Sequence, residues 1–266
     1  MRIGKQFLSI LSLLFLLGGS HLLFAADTPR PPTAMAKMGD GTVSGSRLTP
    51  YDNAWLVTQT FAGGRIVEPG IWTDQLRLRE VNGRKVFVRT QGMAYFHGKF
   101  ISSINVFDPV TMAPISDQQH VADGSTEKWT LNGTHAEGHL VGAIPGAKEE
   151  MQQFDSHVPG YDFNCCMRSL MSATLPLRAG YSVTLPNQIM SKDDDEGVTY
   201  KVVEREQARA GARGMVDTWV VQIDPSPGGC DCVIKFWVSD KAPFIIRMTL
   251  SAGKGHEYDQ SFDMIK

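Results

Sequence analysis

From Asp52 onward apolar residues recur at every second position, and that period restricts the chain to sheet. Leu76 and Leu78 alternate with Gln75, Arg77 and Arg79, and Val86 and Val88 with Lys85 and Arg89. Trp219, Val221 and Ile223 alternate with Thr218, Val220 and Gln222. Phe244, Ile246, Met248 and Leu250 alternate with Arg247 and Thr249, and Tyr258, Phe262 and Met264 with Asp259, Ser261 and Asp263. Such a pattern gives each strand one apolar and one wetted face, which marks antiparallel rather than parallel sheet. Asn82-Gly83 and Asn132-Gly133 fall between these runs and predict tight hairpin turns. About a dozen strands follow from this reading.

Helix is scarce. The best segment runs from Asn164 to about Thr174, with Asn164 or Asp162 placed to cap it and Pro176 to end it. Met167, Leu170 and Met171 would form its apolar stripe. A dozen one-faced strands with one short helix to cover them must curl until their apolar faces meet. The predicted class is all-β: a curved antiparallel sheet closing into a barrel, half-barrel or sandwich. No internal repeat of fixed period is present.

The N-terminus has a different design. Arg2 and Lys5 precede an apolar run from Phe7 to Leu17, Gly18, Gly19 and Ser20 interrupt it, and cleavage is expected after Ala25. Residues 1–25 therefore read as a secretory signal peptide, too broken to serve as a permanent span of about 20 residues. No cysteine follows the run, which argues against lipid anchoring. The expected destination is the bacterial periplasm. Residues 26–48 are rich in Pro, Gly and Ser and poor in bulky apolar groups, the composition of a flexible leader. Residues 49–266 then form a single antiparallel β domain. The 26 Lys and Arg against 28 Asp and Glu leave a net charge of −2, which supplies no nucleic-acid footprint.

The run YDFNCCMRSLMSATLPLRAGYSVTLP (161–186) joins an aromatic-Asp-Phe start to a short helix and then to LPLRAGY. VTYKVVERE, MVDTWVVQIDP and IKFWVSDKAPFIIRMTL follow in that order. This order resembles the exported bacterial domain-of-unknown-function family 3108, in which an LPL-x-x-G turn precedes a strand and a WV hairpin closes the core. The stretch NVFDPVTMAPISDQQHVADGSTEKWTL is similar to that family's hairpin with its D-x-x-T motif. The resemblance covers roughly residues 50–264. It implies an exported, mostly antiparallel β domain and carries no catalytic residues to transfer. The four cysteines and the acidic loop 192–196 depart from the family pattern. One-faced curved sheets also look similar to periplasmic carriers of lipoproteins, an analogy of fold alone.

Cys165, Cys166, Cys230 and Cys232 are the most informative residues for chemistry. In an oxidising compartment they are expected to be disulfide-bonded. Cys230 and Cys232 on a strand point to one face, and adjacent Cys165 and Cys166 could close only a strained ring, so bridges between the clusters are favoured. One such bridge, closing about 65 residues, would contribute roughly 4 kcal/mol by the chain-entropy argument. Cys-Cys with Cys-x-Cys is not a usual zinc spacing, and a Cys-x-x-Cys redox motif is missing.

Other constellations weigh less. His135 and His139 in HAEGH would bind zinc only on a helix; on a strand four residues span about 13 Å, so a solvated edge is expected. Asp155, Ser156 and His157 are triad residue types in sequence rather than in convergence, and no Gly-x-Ser-x-Gly elbow accompanies them. Asp193, Asp194, Asp195 and Glu196 lack calcium-loop spacing. Met35 and Met38 make a weak copper pair. GDGTVSG and GKGHEY lack the context that cradles phosphate. No cofactor or metal is expected. Trp55, Trp72, Trp129, Trp219 and Trp237 either fill the core or line a lipophilic pocket; Trp219 and Trp237, on the most regular strands, are the expected lining residues.

The favoured function is therefore a non-enzymatic periplasmic protein binding an apolar ligand, a lipid or an envelope partner. A hydrolase assembled from dispersed Asp, His and Ser residues, or a scaffold without small ligand, are the alternatives. Acidic and His residues converging in one pocket would favour the enzyme, and an apolar pocket without titratable groups the binder.

Overall fold

The strands form two meanders, and a computed structural model shows how they join. It describes residues 35–61, 64–96, 98–144, 146–156, 159–163, 167–188, 197–223, 232–252 and 258–266. The first meander runs through β1 (Tyr51–Phe61), β2 (Ile66–Val81), β3 (Arg84–Tyr95) and β4 (Phe100–Phe107). It continues through β5 (Pro114–His120), β6 (Thr126–Asn132), β7 (His135–Val141) and β8 (Glu150–Asp155). After the short β9 (Asp162–Phe163) comes the helix α1 (Arg168–Thr174). The second meander comprises β10 (Ser182–Gln188), β11 (Gly197–Arg209), β12 (Met215–Ile223), β13 (Cys232–Val238), β14 (Ile245–Ala252) and β15 (Tyr258–Met264).

A single stitch makes one sheet of them. β1 pairs antiparallel with β15, from Trp55 opposite Met264 to Phe61 opposite Tyr258. The order is then β8-β7-β6-β5-β4-β3-β2-β1-β15-β14-β13-β12-β11-β10-β9, antiparallel throughout except for the parallel β10–β9 pair. The sheet is not closed: β8 and β9 are its two edges. It is curled, and α1 shows by how much. The helix packs on β13 and β14, while Ser169 at its start accepts a hydrogen bond from Arg89 of β3. Four strands separate β3 from β13, about 24 Å across a flat sheet, and a helix is only about 10 Å wide. The sheet must wrap around α1, and the same curl brings β9 against β5. The fold is an all-β half-barrel with one helix in its hollow.

The inner face carries the main core. Trp55, Met93, Ile101 and Met264 lie on one row, and Val57, Phe262, Phe236, Val221 and Val202 on the next, all buried. Leu170 and Met171 of α1 are fully buried in the same core. The helix differs from its sequence reading at the start. Asp162 falls in β9, Asn164 lies outside the described residues, and α1 begins at Arg168 behind Met167, which offers no capping side chain. Packing compensates, since six of the seven residues are buried.

The Asn82-Gly83 turn forms as expected, both residues having positive φ (52° and 76°), the geometry that favours Asn-Gly. At the second turn Gly133 alone takes a positive φ, 64°.

Residues 35–48 are not a free leader. Met35 bridges to Thr184 of β10, and the Ala36 N–H donates to the Thr184 carbonyl at 2.9 Å. Val43 and Leu48 are buried, and the Gly45 N–H donates to the Val110 carbonyl at 2.9 Å. GDGTVSG is a turn built on Asp40, whose carboxylate accepts from the Lys37 and Thr42 amides at 2.7 and 2.8 Å. Composition undercounts such a segment because a few small apolar groups, tied by backbone bonds, suffice to dock it. The D-x-x-T motif has a similar local cause. Asp108 Oδ1 accepts from the Val110 and Thr111 amides and from the Thr111 hydroxyl, at 3.0, 2.9 and 3.1 Å. Burial alone would raise the Asp108 pKa, but these bonds and the Arg84 guanidinium outweigh it and hold the value at about 2.

Gly138 of β7 faces Trp129 of β6 across the sheet, and an added Cβ would fall within the indole ring. Trp129 is almost fully buried and centres a second, smaller cluster with Leu131 and Ala136. Gly138→Ala should therefore destabilise by about 1–3 kcal/mol, the usual cost of overpacking. A urea midpoint equal to that of the wild type would show that this end of the sheet is loosely packed.

Candidate functional site: a buried polar array on the inner face

The inner face changes chemistry between its two halves. On β11–β15 its buried side chains are apolar, apart from Gln260. On β1–β6 it carries two rungs of polar side chains. One rung runs Asn53, Asp74, Gln91, Ser103, Gln119, Glu127. The next runs Arg89, Asn105, Asp117 and ends on Trp129. Glu127 is half-buried, and every other polar residue of the two rungs is buried.

These groups are held by one another. Arg89 is 1% exposed; its Nε donates to the Asp74 oxygens at 2.9 and 3.1 Å, and its Nη2 donates to Asp74 and, at 2.8 Å, to Ser169 Oγ. The Tyr51 hydroxyl donates to Asp74 at 3.1 Å. Burial, reinforced by the Asp74 charge, pushes the Tyr51 phenol pKa far up, so it stays a donor. Asp117 accepts from Asn105 Nδ2 and, at 2.9 Å, from Gln119 Nε2. Ser103 Oγ donates to Gln91 Oε1 at 3.4 Å. One atom stands apart: Asn105 Oδ1 is buried and has no hydrogen-bond partner.

Glu127 closes the first rung. Burial raises its pKa, and the Trp129 indole N–H, at 3.4 Å from Oε2, only partly offsets this. The folded protein thus binds that proton more tightly than the unfolded chain. The resulting stabilisation is full below the unfolded-state value and is lost as pH rises through the folded-state one. Glu127→Gln should therefore raise the urea midpoint at pH 7 and leave it nearly unchanged at pH 3.5. A variant less stable at pH 7 would show that the ionised carboxylate is held by the fold.

Sequence alternation missed this array. It places Arg89 on the wetted face with Val86 and Val88 buried, whereas Leu76 opposite Arg89 and Phe107 opposite Phe87 set Phe87, Arg89, Gln91 and Met93 inward. The overlooked signal is a recurrence of polar pairs two residues apart: Arg89/Gln91, Ser103/Asn105 and Asp117/Gln119, each 14 residues after the last. A hairpin meander of that length brings such pairs into register.

The expected site residues are scattered. Trp219 and Trp237 do not share a face: Trp219 pairs with Val238 and Trp237 with Val220, so the pleat turns them apart. Trp219 is half-buried on the inner face beneath Arg205, whose guanidinium lies 5.0 Å from the ring. Trp237 lies on the outer face, donates to Glu206 at 2.8 Å and is covered by Arg247 at 4.8 Å. Cys232 is buried in β13; Cys165, Cys166 and Cys230 lie outside the described residues, as do Asp193–Glu196 and His157. His135 and His139 are half-buried on β7, paired with Asp155 at 2.8 Å and Glu149 at 2.7 Å. Ser156 Oγ donates to the Thr134 carbonyl at 3.3 Å. Among the described residues no helix is long and apolar enough to cross a membrane, and no group of three or more His, Cys, Asp or Glu side chains is gathered to hold a metal.

No curated protein and no solved structure matches the chain. Residues 71–258, about seven-tenths of the sequence, match a family model, and that stretch runs from β2 to the start of β15 and contains all of the polar array except Asn53 and Tyr51. The chain belongs to the family described as protein of unknown function (DUF3108).

Proposed function

We propose that this protein is an exported, non-enzymatic binding protein of the bacterial envelope that holds a lipophilic ligand bearing a polar group inside the half-barrel. The observation that carries the reading is the division of the inner face, apolar on one half and hydrogen-bonding on the other. Burying polar groups costs stability unless partners are built for them, and an apolar core would hold the sheet equally well. Trp219 remains a lining residue in this reading, and Trp237 does not. The signal-like N-terminus supports export, and the cysteines fit an oxidising compartment.

A hydrolase is less well supported. Asp74, Asp117 and Glu127 gather on the inner face, but the two rungs carry no histidine, and Ser169 beside them accepts from Arg89, whose guanidinium cannot serve as a base.

Delipidated mature protein titrated with an uncharged fluorescent acyl probe should show saturable binding at a single site. Absence of binding by any lipophilic probe would leave the scaffold reading in its place. Fractionation should find mature chain beginning near Ala26 in the periplasm; an intact N-terminus held in the inner membrane would overturn export. For the cysteines, non-reducing peptide mapping should join Cys165 or Cys166 to Cys230 or Cys232, and a Cys232→Ser variant should lose roughly 2–5 kcal/mol. Four free thiols would sink that pairing.

A further inference from the structure

We infer that the Asn105–Asp117 end of the polar array is a head-group subsite, and that it selects ligands presenting O–H or N–H donors over anionic heads. The inference rests on the binding reading above and adds the chemistry of the ligand's polar end. Asn105 is 3% exposed and faces inward on β4, between Arg89 of β3 and Asp117 of β5. Its Nδ2 is committed to Asp117, so its orientation is fixed and Oδ1 must point elsewhere. That oxygen is an acceptor without a donor. A buried acceptor left unmet costs about 1–3 kcal/mol, and a ligand donor would recover it.

The neighbours sharpen the choice. Beside Oδ1 stands the Asp117 carboxylate, an acceptor only, and one strand further the Glu127 carboxyl on the adjacent rung. The nearest cation along the rung, Arg89, has its Nε and one Nη turned to Asp74 and Ser169. A phosphate or carboxylate head would bring acceptors to acceptors and a negative charge to buried acids. A hydroxyl or ammonium head would donate to Oδ1 and meet a favourable field. The shared feature is the donor, whether it comes from a polyol or from an amine.

The test uses four compounds with one tail: octyl glucoside, octylamine, octyl phosphate and octanoate, each below its micelle concentration. Their affinities for the mature wild-type protein are measured at pH 7 by displacement of a fluorescent acyl probe. The glucoside, the amine or both should bind at least about tenfold more tightly than the two anions. Which of the two leads distinguishes a hydroxylated from an amino ligand. In a folded Asn105→Leu variant the ratio should fall towards one, while Ile104→Ala, on the outer face of the same strand, should keep it. Should Asn105→Leu fail to fold, the wild-type ratio decides alone. Equal affinity for all four heads would mean that Oδ1 is met by water only and would overturn the subsite while leaving the binding reading intact. Tighter binding of the anions would overturn it as well. Failure of the acyl probe itself to bind would remove the binding reading, and the subsite with it.

Discussion

Arg89→Met should destabilise the protein by about 3–5 kcal/mol, the range observed when one member of a buried ion pair is removed. The side chains of Arg89 and Asp74 are 1% and 2% exposed. Loss of the guanidinium would leave the Asp74 carboxylate buried with the Tyr51 hydroxyl as its remaining donor among the bonds described, and would also strip Ser169 of its donor. Adding Asp74→Leu to that variant should recover most of the loss, because a well-packed apolar pair avoids the desolvation that the ion pair must offset. Urea denaturation of the single and double variants measures both effects. A single-variant loss below about 1 kcal/mol would be the value of a solvated pair, and would mean that water reaches the inner face in the unliganded protein.

Leu170→Ala should cost about 2–5 kcal/mol, because the side chain is fully buried where α1 meets the curled sheet. A helix of seven residues has no independent stability in water, so its position depends on such contacts. The size of the effect also reports on access to the hollow. If α1 spent much of its time off the sheet, Leu170 would already be solvated, and truncation would cost less than about 1 kcal/mol. A full loss, accompanied by faster hydrogen exchange in β13 and β14, would establish α1 as a fixed part of the core.

Both outcomes bear on how the proposed site could be reached. α1 meets the polar rungs at the Arg89–Ser169 bond and packs on β13 and β14, so loosening the helix would uncover both halves of the inner face. A binder of the kind proposed would be expected to show Arg89→Met and Leu170→Ala coupled in a double-mutant cycle, since both act through that contact.

The class of fold was written locally. Period-two alternation, the Asn82-Gly83 turn and the shortage of helix each depend on residues a few positions apart, and they suffice to require a curled antiparallel sheet. The second meander was the more legible: Val221 and Ile223, then Phe262 and Met264, are buried as their alternation predicts. On β4 the rule fails, because Ser103 and Asn105 face inward while Phe100 and Ile104 are exposed. The pleat determines which residues share a face, but not which face the curl encloses. That choice depends on the β1–β15 stitch and on where α1 seats, contacts between segments roughly 80 to 210 residues apart. The same holds for burying charge. Arg89 reads as a wetted residue until Asp74 arrives from β2 and Ser169 from α1, since a polar group can be enclosed only when other elements bring its partners. Sheet and turns belong to the sequence alone; the inward face of β1–β6, and with it the candidate site, exists only once the distant strands have met.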